Sequence, residues 1–141
     1  EVLMNKLMEY GEIGVACSDY DIHNELPHRS NISYEFKNSY CRNELMNRCI
    51  IHSNSLIKKA YLTQIILPNK EIFDSQLHGP ASQGFIGCTE DYDLWLRLST
   101  ICVFCHVPEV LGVANQHGRN QSMKMTTEIF KENAKKLGGR Q

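Results

Sequence analysis

Apolar residues near the start of the chain fall at Leu3, Leu7 and Met8, a helical spacing, and Gly11 follows where helices commonly stop. The pattern predicts a helix from Val2 to Tyr10. It then changes to an unbroken apolar run, Ile13-Gly14-Val15-Ala16-Cys17, which ends in Ser18-Asp19 and predicts a buried strand. Asp21 to Asn43 is polar and spotted with aromatics, without a clean period, so loop and edge strands are expected there. Cys49-Ile50-Ile51 reads as another strand. A helix is expected from Leu56 to Gln64, with Leu56, Ala60 and Thr63 turned inward, ended by Pro68-Asn69.

Gly79-Pro80, Gly84 and Gly87 give the stretch from Asn69 to Thr89 the chemistry of turns. A long loop ahead of an acidic helix start is often functional. That helix is expected from Glu90 to about Thr100, then a strand to Val107, with Pro108 and a Gly112 to Gln121 loop after it. A terminal amphipathic helix, Thr126 to Leu137, stops at Gly138-Gly139. Helices alternating with short buried strands make an α/β order, and residues 1–141 form a single unit without repeats.

Composition narrows the picture. A chain of 141 residues that is 42% hydrophobic and 22% charged can bury a core. Fifteen Lys and Arg against sixteen Asp and Glu leave a formal charge of -1, which argues against nucleic acid as a partner. The longest apolar runs, Ile65-Ile66-Leu67 and Ile101 to Cys105, are far too short to cross a bilayer. The chain begins Glu1-Val2-Leu3, without Met and without the pattern of a signal peptide, so we expect a piece of a longer protein. Six cysteines scattered at 17, 41, 49, 88, 102 and 105 read as reduced, mostly buried thiols in a cytosolic setting.

The chemistry concentrates at Glu90-Asp91-Tyr92-Asp93-Leu94-Trp95-Leu96-Arg97-Leu98. Thr89 can cap this helix, which puts Glu90 and Asp91 in its first turn, where negative charge meets the positive end of the dipole. Asp91, Leu94, Trp95 and Leu98 share one face by spacing, so Asp91 points the way core residues point. A carboxylate held there can serve as a general base toward a substrate hydroxyl, or simply stabilise the helix end. Arg97 lies off that face, as a solvated or salt-bridged side chain.

The Glu-Asp phrase is similar to the corresponding segment of family 2 glycosyltransferases of the GT-A fold. Its neighbours agree in order. Ile13 to Tyr20 resembles the strand that follows the family's Asp-x-Asp motif, and Val2 to Tyr10 the helix between them. Ile51 to Lys59 resembles a strand with its Ser-x-Leu-Ile-Lys-Lys helix start. Phe73-Asp74-Ser75-Gln76-Leu77 resembles the phrase preceding Glu-Asp, and Val107-Pro108-Glu109-Val110-Leu111-Gly112 the phrase following it.

The resemblance implies a partial GT-A (Rossmann-like) domain, its C-terminal, acceptor-side portion, with the N-terminal nucleotide-binding strands missing. It also implies an activity. Asp91 would take the proton of an acceptor hydroxyl as that oxygen attacks the anomeric carbon of a nucleotide sugar, with inversion. Glu90 would bind acceptor or position the loop, and Trp95 would be a core residue or a sugar platform. A divalent metal, Mg or Mn, would neutralise the departing diphosphate, its main ligands being the Asp-x-Asp expected upstream of Glu1. The implied partners are a nucleotide-sugar donor and a glycan or other hydroxyl acceptor, in the cytosol or at the cytosolic face of a membrane. The Gln-x-x-Arg-Trp signature of processive members is absent, which favours single-sugar transfer. The isolated 141 residues are expected to be inactive.

Departures and rivals remain. Asp19-Tyr20-Asp21 is a literal Asp-x-Asp, readable as a metal site or as turn and acceptor-side residues. His117 stands near the histidine of a Tyr-Arg-x-His pattern that reaches metal or diphosphate, but here the phrase is Ala114-Asn115-Gln116-His117. The bridge from His78 to Thr89 is longer than the family's usual one. Cys102-Val103-Phe104-Cys105-His106 fits the c-type haem attachment pattern, and fits buried strand cysteines equally. Structural zinc would need a second ligand pair at a usual spacing, and none exists. An inactive binding or assembly module is a further alternative.

Overall fold

Helix and strand periods trade places early in the chain, and the backbone follows them. The computed structural model describes residues 1–25, 32–34, 41–47, 49–51, 54–74, 77, 90–117 and 132. Helix α1 (Val2–Glu9) buries Leu3 and Leu7 and ties Lys6 to Glu9 on its exposed side at 2.5 Å. It ends before the expected glycine, because Tyr10 is already extended. Strand β1 (Ile13–Asn24) follows, its first eight residues fully buried. It is longer than the apolar run, since a polar continuation is stable once neighbours complete its hydrogen bonds.

β1 is the centre of a four-stranded mixed sheet. β2 (Ile32–Tyr34) and β3 (Ser55–Ile57) pair with it antiparallel, and β4 (Val103–Gln116) pairs with it parallel along its whole length. The α/β class holds, but the sheet is mixed where the resemblance implies a mostly parallel one. Two short helices, α2 (Arg42–Leu45) and α3 (Lys59–Leu62), and the longer α4 (Glu90–Leu98) complete the described elements.

Two apolar clusters result from strand alternation. Val15, Cys17 and Phe104 join Leu45, Ile50, Ile51, Leu77 and the leucines of α4 in the larger one. Ile13, Ala16 and Val107 meet Leu3 and Leu7 of α1 in the smaller. Ile13 and Val15 would ordinarily share a face, but the register of β1 against β4 shifts between them. Gly14 permits that bulge: a Cβ there would stand 2.5 Å from Cys102 Cβ and 2.8 Å from the Tyr61 ring.

Several expectations need correction. Residues 49–51 are not a strand; Ile50 and Ile51 are buried side chains of an irregular segment. The strand lies at Ser55–Ile57, where a helix was expected to start, because Lys58 N–H donates to Gly14 carbonyl at 2.8 Å and the preceding residues lie along β1. The helix shrinks to α3. α2 was not foreseen. β4 runs through Pro108 instead of stopping there: its partner changes from Ser18↔Val107 to Asp19↔Val110, so Pro108 and Glu109 bulge and no ladder donor is needed from the proline. Of the terminal helix expected from Thr126 to Leu137, all but Glu132 lies outside the described residues, as does the whole bridge from His78 to Thr89.

Candidate active site

Helix α4 is fixed on nearly every side, which makes its first turn a rigid platform. Leu94, Leu96 and Leu98 are buried, and Trp95 packs edge-on against Phe104 with centroids 6.3 Å apart at 79°. The Tyr92 hydroxyl donates to the carbonyl of Leu45. Arg97 is a clamp rather than a solvated group: its Nε donates to Asp93 Oδ2 at 2.8 Å, Nη1 to the Ile65 carbonyl at 2.7 Å and Nη2 to the Ile72 carbonyl at 2.6 Å. One guanidinium thus binds the helix to the 65–72 segment.

Asp91 departs from the buried face it shares by spacing. Leu94, Trp95 and Leu98 are in the core, while Asp91, at the helix end, is exposed. Protein nevertheless crowds around it. This partial desolvation pushes its carboxyl above the usual range; the Tyr92 N–H, donating to Oδ1 at 2.7 Å, pulls the other way, and the Glu90 charge pushes up again. Asp91 is thus a solvent-accessible carboxylate of raised basicity. That combination suits a general base.

Glu90 is half-buried beside it. Trp95 is a core residue by position, 5% exposed, and its indole N–H has no hydrogen-bond partner among the described residues. Cys49 borders the same site: burial, then the Asp91 charge, pushes its thiol to about 12, so it stays protonated and donates to the Ile51 carbonyl at 3.2 Å.

A second constellation joins β1 to β4. His106 Nε2 lies 2.7 Å from Asp19 Oδ1, and the two side chains keep only 9% and 7% of their exposure. Next to it Asn54 Nδ2 donates to the Ser18 hydroxyl and, at 3.2 Å, to the Asp19 carbonyl, and it packs against Gly112. The Asp19 carboxylate is therefore engaged with a histidine, in a segment that is strand, not turn. Among the described residues no three His, Cys, Asp or Glu come together to hold a metal, so Asp19-Tyr20-Asp21 does not fit a metal there. His117 is exposed just beyond β4.

The two thiols of the Cys-x-x-Cys-His pattern part company. Cys102 packs against the α4 cluster and donates to the Leu98 carbonyl at 3.3 Å, whereas Cys105 packs against the α1 cluster. Covalent haem attachment needs both on one side, and His106 is already paired with Asp19. Arg97 is salt-bridged to Asp93, one of the two readings its spacing offered, but its bonds to the Ile65 and Ile72 carbonyls and the Asp19–His106 contact join residues that no local spacing relates. No protein-family model matches the chain, and no curated protein matches it.

Proposed function

We propose that this chain supplies the catalytic base and acceptor side of an inverting, non-processive transfer of a sugar from a nucleotide sugar to an acceptor hydroxyl, on the cytosolic side of the cell. The observation that carries the reading is Asp91: a solvent-reaching carboxylate of raised pKa at the first turn of an otherwise buried helix. The ordered phrases shared with family 2 glycosyltransferases support it.

In the proposed step the Asp91 carboxylate accepts the proton of the acceptor O–H. The oxygen forms its bond to the anomeric carbon as the bond from that carbon to the diphosphate breaks, and the nucleoside diphosphate leaves with the electron pair. α4 holds Asp91 still through Arg97, Tyr92 and the leucine core, so little reorganisation is needed. A divalent metal would neutralise charge on the leaving diphosphate. The described residues do not fit one.

In a longer chain carrying the donor-binding strands, Asp91→Asn should lower kcat by roughly 10²- to 10⁴-fold while donor affinity, measured by calorimetry, stays unchanged. Undiminished turnover would sink the base assignment. A second reading, a binding or assembly module, is favoured by the exposed apolar residues of β4: Val103, Val110, Leu111 and Val113. No described helix is long and apolar enough to cross a membrane.

A further inference from the structure

Helix α1 carries more than the two leucines that fix it to the sheet. Val2, Asn5, Lys6 and Glu9 recur at i, i+3, i+4 and i+7 and so share one side of the helix, and Met8 stands three residues past Asn5 beside them. Across from that side is the bulge of β4. Its register skips from Val107 to Val110, so Pro108 and Glu109 leave the ladder. Between helix and bulge lies an open cavity of about 620 Å³, lined by Val2, Asn5 and Met8 from α1 and by Val107, Pro108 and Glu109 from β4. That volume is within the range of small-molecule sites.

The lining is amphipathic, and its charge is unbalanced. Val107 is a buried apolar floor, while Val2 and Met8 stay 39% and 73% exposed. Lys6 and Glu9, also at the cavity, are tied to each other at 2.5 Å, and His106 at its edge is bonded to Asp19. The side chains of Asn5 and Glu109 are exposed and make no hydrogen bond or ion pair among the described residues. The Glu109 carboxylate is thus left to meet the charge of a ligand. A carboxylate can only accept hydrogen bonds, and an ammonium group can only donate them. The apolar walls favour a hydrocarbon body.

We propose that this cavity binds a small organic cation, a primary amine whose ammonium group donates to the Glu109 carboxylate while its apolar body lies on Val2, Met8, Val107 and Pro108. Met8 suits such a surface, because an unbranched thioether adapts to the shape laid against it. Only hydrogen bonds and apolar contacts form, and no covalent bond changes. The site adjoins the α1 cluster and not the α4 cluster, and it does not rest on the transferase reading.

The test is NMR on the isotopically labelled 141-residue chain, titrated at low salt with phenethylamine, with phenethyl alcohol as its neutral counterpart and with hydrocinnamate as its anionic one. The amine should shift the amides of Asn5, Met8 and Glu109 together, saturably and with one affinity. An exposed ion pair is weak, so the alcohol should bind about threefold less tightly than the amine, and the carboxylate more weakly still. Glu109→Gln, at an exposed position of the bulge, should keep the amide spectrum elsewhere, bring the amine down to the affinity of the alcohol and leave the alcohol unchanged. The absence of a saturable shift at those amides overturns the inference. So does equal binding of amine and hydrocinnamate, or a preference for the amine that survives Glu109→Gln. None of these results bears on Asp91, whose assignment is decided by turnover of Asp91→Asn in the longer chain.

Discussion

Asp91 sits where its charge is costly. Crowding raises its carboxyl pKa in the folded chain, so the folded form binds a proton more readily than the unfolded one. The stability this residue contributes is full below the unfolded value, about 3.9, and is lost as pH rises through the higher folded value. At neutral pH that contribution is gone. Asp91→Asn should melt higher than the parent at pH 7, and the gap should close as pH falls toward 3; a gap that widens on acidification would reverse the sign. Gly112 shows the opposite economy, being needed for space. A Cβ there would stand 2.8 Å from Asn54 Cγ, displacing the amide that bonds Ser18 and the Asp19 carbonyl. Gly112→Ala should destabilise by about 1–3 kcal/mol in urea titrations. In an Asn54→Ala background the same change should cost clearly less, since the obstruction is gone.

Arg97 sets the rigidity of the site-bearing helix. It serves Asp93 and two carbonyls of the 65–72 segment while 14% exposed, so Arg97→Ala leaves a buried carboxylate and two acceptors unpaired. A loss of about 2–4 kcal/mol is expected from chemical unfolding. Arg97→Lys should recover less than half of it, because an ammonium cannot reproduce the planar fork. Equal stability of the Lys variant would show that charge alone matters. The sequence made this helix easy to find: Leu94, Leu98 and the acidic first turn mark its face and its start. It also made α1 legible. Leu56-Ile57 misled because a short apolar run fits helix or strand alike, and the choice was made by pairing with Val15 and Ala16 far upstream. Pro108 misled because a proline stops a regular ladder but not a bulged one. The placement of Asp91 at the start of α4 could be read from local spacing. The Asp19–His106 contact spans 87 residues of chain and depends on which strand lies beside β1.

On the scale of the molecule, the sheet separates two unequal cores. The α4 side holds most of the fully buried side chains, and the α1 side rests on Leu3, Leu7, Ile13, Ala16 and Val107. Leu96→Ala, at a position with no exposure, should cost about 2–5 kcal/mol, whereas Leu3→Ala, at 9%, should fall at or below the low end of that range. The parallel pairing of β1 with β4 joins the two cores, so global unfolding should stay a single transition by both fluorescence of Trp95 and circular dichroism. β4 also exposes apolar side chains. Val103, Val110, Leu111 and Val113 are between 38% and 65% exposed along one strand, and the formal charge of -1 offers little repulsion between copies. Burying such a row between two chains removes apolar surface from water without disturbing either core. Sedimentation velocity should therefore show association that grows with concentration. Val113→Lys, at the most exposed of these positions, should weaken it while leaving the melting temperature nearly unchanged, because that side chain supports no core contact. Association unaffected by Val113→Lys and by Val110→Lys would move the sticky surface away from β4.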